Sequence, residues 1–261
     1  MRFFGWFLLL PLLSACAPRT ADGAALGQTS AAPASAGAAT PTFRAAFSRY
    51  GVAWVSDGQA CVARAPSYQA TCPKLGRVVD TAWNDGDAWA AVPSLGLIVT
   101  LDRAARTVPV GAVVALSANN IYREDGSALS YGGSPSGRVA GAPSLAITGG
   151  NGQDYVRLAG QVVRVADGAV TETGTLIPVG GELVATPTGA QSSSVPTAIS
   201  EDGANVYRLQ GDMLERVDLA GKVLRRVPHA AGKVGLVAGQ VVTVTQEGTI
   251  RRFTWDLQEI R

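Results

Sequence analysis

Histidine occurs once in the 261 residues, at position 229, and methionine twice. A Ser-His-Asp nucleophile system would have to use His229, and no serine stands in a Gly-x-Ser-x-Gly elbow. The stretch Val227-Pro-His-Ala-Ala-Gly232 reads as a loop between repeating units, which makes His229 a solvated loop side chain. There are three cysteines and no Cys/His spacing of a zinc site. Charged residues make up 16%, against a usual share of about 25%. Leaving out Arg2, 21 basic residues face 20 acidic ones with no block of either sign, which argues against nucleic acid as a partner. The first apolar run, Phe3 to Leu13, is shorter than the roughly 20 residues of a membrane-spanning helix. Glycine-rich phosphate loops and paired-carboxylate motifs do not occur.

Glycine, by contrast, is abundant at 31 residues, in a background of Val, Leu and Ala. That composition suits short strands joined by tight turns. At the start of the chain the apolar run ends in Leu13-Ser14-Ala15-Cys16, behind the single charge of Arg2. This segment resembles the signal of bacterial lipoproteins: a basic start, an apolar stretch and small residues before a cysteine. The resemblance implies cleavage after Ala15, with residues 1–15 removed as a signal peptide. Cys16 then becomes the lipidated first residue, acylated with palmitate-type chains and anchored to a bacterial membrane, facing the periplasm or cell exterior. Ala17 carries no aspartate-type retention cue, which fits outer-membrane sorting where such a membrane exists. From Ala17 to Thr42 the chain is Ala, Gly, Ser, Thr and Pro with few large side chains, too little apolar surface to offset its ordering entropy. Residues 16–42 therefore read as a lipidated cysteine and flexible linker, and 43–261 as the folded domain.

Within that domain a unit recurs. Tyr155-Val-Arg-Leu-Ala-Gly160 matches Val206-Tyr-Arg-Leu-Gln-Gly211, and each is followed by further strands and turns of alternating apolar pattern. Weaker copies begin near Val52, Thr81, Val113 and Val234. Hairpin positions Pro66, Asp102, Gly132, Asp167, Asp218 and Asp256 mark one point of each unit, the hairpin after its second strand. Such spacing of four-stranded units signals a β-propeller. Six markers suggest six small blades, with five to seven open. The longest interval, between Asp167 and Asp218, holds either an inserted loop at 185–196 or a degenerate seventh blade. The rival all-β fold is a β-sandwich. The run Thr249 to Trp255 should form an inner part of the last blade, with Leu257 to Ile260 beside it near the rim, and Phe43 to Phe47 should pair with that blade to close the ring. Cys61 and Cys72 flank a turn at Pro66-Ser67, so in an antiparallel hairpin they face each other at disulfide distance. In an exported protein that bridge persists and is worth about 3 kcal/mol on the chain-entropy view. At this level the chain resembles bacterial lipoproteins with an exported propeller domain.

For chemistry the residues offer less. Asp57, Asp85, Asp125, Asp167 and Asp202 each precede glycine, the commonest tight-hairpin pair. Calcium is the one cofactor their oxygens suggest, best at Asn84 to Asp87 and Glu124-Asp125, although no full calcium-loop spacing occurs. No other metal or cofactor is indicated. Trp54, Trp83 and Trp89 are either seam packing or an exposed surface for a partner. The leading reading is a non-catalytic propeller, a binding or scaffold module at the cell envelope with a protein or envelope component as partner. The alternative is a calcium-dependent propeller hydrolase or lyase. That alternative expects three or more of Asp85, Asp102, Asp154, Glu172, Glu182 and Asp202 to converge in one pocket. A quinone-cofactor propeller ranks behind both, because its repeated tryptophan pattern is missing.

Overall fold

A computed structural model describes residues 43–101, 105–173 and 182–261. Cys16 and the linker lie outside the described residues, as does Asp102. The domain is all-β: seven antiparallel sheets, each built from consecutive strands, and a single 3-10 turn at Pro93–Leu95 among the described residues. We number the sheets as blades 1 (43–71), 2 (80–109), 3 (113–138), 4 (145–172), 5 (182–193), 6 (197–228) and 7 (232–260). Six have four strands, paired in chain order; blade 5 has two, Glu182–Thr186 and Gly189–Ser193. The first strand of each blade touches the first strands of the blades before and after it, and that of blade 7 touches that of blade 1. The sheets therefore form a closed ring, a seven-bladed β-propeller.

The count is explained by the hairpin markers. Pro66, Gly132, Asp167, Asp218 and Asp256 each lie between the third and fourth strands of a blade, one strand later than the sequence suggests. Blade 5 ends at its second strand and so has no such hairpin. It fills the longest interval and is the degenerate blade.

Stacking buries both faces of a blade, and the strand Gly51–Ser56 (GVAWVS) shows how. Ala53 and Val55 pack toward blade 2 with Trp83, Ala88 and Ala90. Val52 and Trp54 pack the other way, toward Val237, Val242 and Val244 of blade 7. A strand buried on both sides loses the polar alternation of an exposed sheet and reads as a continuous apolar run. Alanine on the facing strands lets the blades approach closely.

Ring closure departs from expectation. Phe43–Ser48 pairs along its full length with Gly51–Ser56 of its own blade and not with blade 7. Blade 7 is complete in itself: Glu259–Ile260 is its outermost strand, as expected, but Ile250–Phe253 is its third strand, in the outer half of the blade and not an inner part of it. The ring is thus closed by side chains, with no shared strand. At the seam, Phe47 lies flat on the backbone of Gly235, where a Cβ would stand 2.0 Å from its Cγ. The Cys61–Cys72 disulfide is present, with Cα atoms 4.1 Å apart. Pairing of Val62 with Thr71 and Ala63 with Ala70 places the two cysteines directly opposite, as the turn at Pro66 predicts.

Two glycines of blade 7 separate space from conformation. Gly235→Ala should destabilise the domain by about 3 kcal/mol, because the new methyl overlaps the Phe47 ring. Gly239 has φ +78° and open space around it, so Gly239→Ala should cost about 1 kcal/mol from backbone strain alone. Urea midpoints of the two variants check the order; equal losses would remove the seam contact from this account.

Candidate functional site

The axis of the ring is where a propeller can gather groups from several blades. Four charged side chains occupy the first two positions of inner strands: Arg44, Asp80, Glu182 and Lys233. Arg44 of blade 1 donates to the carbonyl of Ser144, at the entry to blade 4, at 2.9 Å. It also lies 3.5 Å from Asp80 Oδ2. Lys233 of blade 7 forms an ion pair with Glu182 of blade 5, passing blade 6. Contacts between blades that are not neighbours must run across the axis, so these side chains plug it.

Two members of the plug, Asp80 and Lys233, are buried, while Arg44 and Glu182 keep part of their side-chain surface in water. Asp80 is 7% exposed, and it also accepts hydrogen bonds from the backbone N–H groups of Thr81 (3.0 Å) and Leu116 (2.9 Å). Burial pushes its carboxyl above the ordinary range, and Arg44 pulls it back. Burial raises Glu182 likewise, with Lys233 opposing. Lys233 also sits 5.7 Å from the Phe43 ring centroid. Each buried charge has a counter-charge, which is the condition for keeping it ionised away from water.

The acidic residues singled out in the sequence are dispersed. Asp154 accepts hydrogen bonds from Ser117 (2.6 Å), Asn119 (3.0 Å), Asn120 (2.7 Å), Tyr122 (2.8 Å) and Thr148 (2.6 Å), joining blade 3 to blade 4. Glu172 caps the Ser192 N–H at 2.7 Å and so ties blade 4 to blade 5. Asp202 accepts from Ser200 Oγ and the Ala204 N–H within its own turn. Asp85 sits at φ +46° in a hairpin with Gly86. Among the described residues, no three His, Cys, Asp or Glu side chains gather as a metal-holding group.

The tryptophans are not an exposed surface. Trp54, Trp83 and Trp89 are 2%, 6% and 3% exposed and fill the seams between blades. Trp54 packs on blade 7 beside Gly248. Trp83 donates its indole N–H to Ala46 O at 3.0 Å, under the Arg64 guanidinium. Trp89 meets Tyr131 of blade 3 at 5.4 Å. Removing a large ring from water outweighs offering it to a partner when a neighbouring blade is available to cover it.

His229 is also misread by the sequence. It is 4% exposed, bonds Thr243 Oγ1 of blade 7 through Nε2 at 2.6 Å, and meets the Phe253 ring at a tilt. Burial lowers its pKa from 6.5. The sequence reading missed Arg44, Asp80 and Lys233 as well. Their signal is a lone charge at the head of each first-strand apolar run, as in Phe43-Arg-Ala-Ala and Gly232-Lys-Val-Gly.

No protein-family model matches the chain, and no curated protein does. Solved structures of β-propeller proteins do. PorZ of Porphyromonas gingivalis, a bacterial surface component of the type-IX secretion system, aligns with TM-score 0.52 and 14% identity. The alignment covers 84% of this chain and 37% of PorZ. BamB from Moraxella catarrhalis aligns with TM-score 0.44 and 12% identity over 80% of this chain and 83% of its own. Virginiamycin B lyase from Staphylococcus aureus aligns with TM-score 0.42 and 13% identity over 85% and 83%. At these identities the likeness is one of fold.

Two tests address the buried charges. Arg44→Ala should cost on the order of 3 kcal/mol, because it strands the Asp80 carboxylate; adding Asp80→Asn should recover a large part of that loss. The His229 ring resists the proton that the unfolded chain accepts. Its contribution is therefore present above pH 6.5 and lost as pH falls through that value toward the lower folded pKa. Between pH 7 and 5.5 the parent's stability should fall relative to that of His229→Gln. The raised carboxyls act with the opposite sign in both proteins, so the difference between the two urea curves reports His229.

Proposed function

We propose that this chain is a lipid-anchored, non-catalytic propeller that serves as a binding or scaffold module at a bacterial cell envelope. Cys16 carries the lipid, residues 17–42 form the tether, and the ring of blades meets a protein or envelope component. The observation that carries the reading is the fate of the acidic side chains. The two that reach the axis, Asp80 and Glu182, are each matched by a cation from another blade, and Asp154, Glu172 and Asp202 hold blades and turns together. A calcium-dependent hydrolase or lyase would need several carboxylates free to face one ion. PorZ, which shares the fold, is described as a surface component, and that agrees with the reading.

Cys16→Ser should leave an uncleaved precursor that takes up no fatty-acid probe and leaves the membrane pellet on washing. Label retained by the variant would sink the anchor. Millimolar calcium should leave the melting temperature of the chain unchanged. A saturable rise would favour the hydrolase or lyase instead.

A further inference from the structure

One cleft of about 350 Å3 opens at the closure seam, between the outer turn of blade 1 and the outer strands of blade 7. Ser67, Tyr68, Gly248, Arg252, Ile260 and Arg261 are among its lining residues. Its charges are unevenly spent. Arg251 is held by both carboxylate oxygens of Glu259 at 2.8 Å and donates to Pro228 O at 2.9 Å, so this arginine and this glutamate neutralise each other. Arg252 has no carboxylate partner among the described residues; its guanidinium sits 5.3 Å from the Tyr68 ring centroid. Arg261 forms no ion pair within 4 Å among the described residues, although its charge helps Arg251 hold the Glu259 carboxyl below the ordinary range; two guanidinium groups outnumber the carboxylates left at this opening.

Tyr68 is the second unusual element. Its hydroxyl is buried and has no hydrogen-bond partner, an unspent donor of the kind native interiors seldom leave. Its backbone sits at φ +51°, a left-handed conformation that costs an aromatic residue energy. A bond from the Tyr68 N–H to Arg64 O at 2.7 Å holds the turn. Strain of this sort persists where the surroundings enforce it, and it gathers at ligand sites. Ile250 and Ile260 add apolar wall.

We propose that this cleft binds a small oxyanion, a carboxylate or phosphate on a compact body, with Arg252 and Arg261 as charged contacts and Tyr68 as a further donor. A planar guanidinium presents paired N–H groups that match two oxygens of such an anion. Because the cleft is built from the first and last blades, an occupant ties the two ends of the ring together. Binding to the closed form alone must raise the melting temperature. The assignment stands apart from the lipid anchor and from the absence of catalysis.

The test is thermal melting of the full chain in detergent at constant ionic strength. Three probes are titrated: N-acetylalanine as a chain-end carboxylate, inorganic phosphate, and glycerol phosphate as a lipid headgroup. At least one should raise the melting temperature along a saturating curve, and the probe that does so identifies the source of the anion. Half-saturation should move at least tenfold upward in Arg252→Gln and upward in Arg261→Gln, with Tyr68→Phe intermediate. Arg261 is exposed, so its variant remains informative even if Arg252→Gln folds poorly. No saturable rise with any probe, or unchanged titrations in both arginine variants, would overturn the proposal.

Discussion

The contact of Phe47 with the bare backbone of Gly235 is the constraint on which the ring depends. Seven sheets, each with its strand ladder confined to itself, have no shared ladder to hold them in a circle. What holds them is apolar burial between faces, and a circle of stacked faces is complete only if the first meets the last. Val52 and Trp54 find their cover on blade 7, and without that seam both would face water. The absence of a side chain at residue 235 is therefore a packing requirement of the fold. Its backbone lies in an ordinary extended strand.

The axis adds a second kind of order. Apolar side chains alone would let neighbouring blades slide or rotate with little penalty. Arg44 against Asp80 and Ser144, and Lys233 against Glu182, fix blades 1, 2, 4, 5 and 7 to particular mutual positions, since a displaced blade would leave a buried charge without its partner. The Asp154 network does the same further out, between blades 3 and 4. These polar contacts contribute geometry more than net stability, because the desolvation of the ions offsets much of their attraction.

Much of the architecture was legible in the sequence because propeller strands are local. Alternation, Asp-Gly hairpins and the Arg-Leu-x-Gly echo of residues 157–160 in residues 208–211 are properties of neighbours in the chain. The disulfide was legible for the same reason, since a hairpin turn at Pro66 fixes the register of its own two strands. Blade 5 was ambiguous because it has no third-to-fourth-strand hairpin to recognise. For the tryptophans the sequence left seam packing and an exposed surface open, and the structure selects the packing; the surroundings of His229 were not legible. Whether such a group faces water depends on how a neighbouring blade stacks, which strand periodicity does not report: Trp54 is covered by residues near the opposite end of the chain, and His229 by the blade that follows it. The pairing of Phe43–Ser48 was misjudged on similar grounds: a strand at the end of the domain has two candidate neighbours, and periodicity does not choose between them.

The contiguity of the blades also sets an order of events when the chain is made. Each sheet is a run of hairpins, and hairpins form in microseconds. The contacts of the closure seam, such as that between residues 47 and 235, span nearly the whole domain and have the largest loop-closure entropy to overcome, so they are kinetically disfavoured until the rest is in place. Synthesis delivers blade 1 first and blade 7 last. During that interval the face of blade 1 that carries Val52 and Trp54 is uncovered and sticky, and a chain that stalled before blade 7 emerged would present the surface most prone to join another copy of itself.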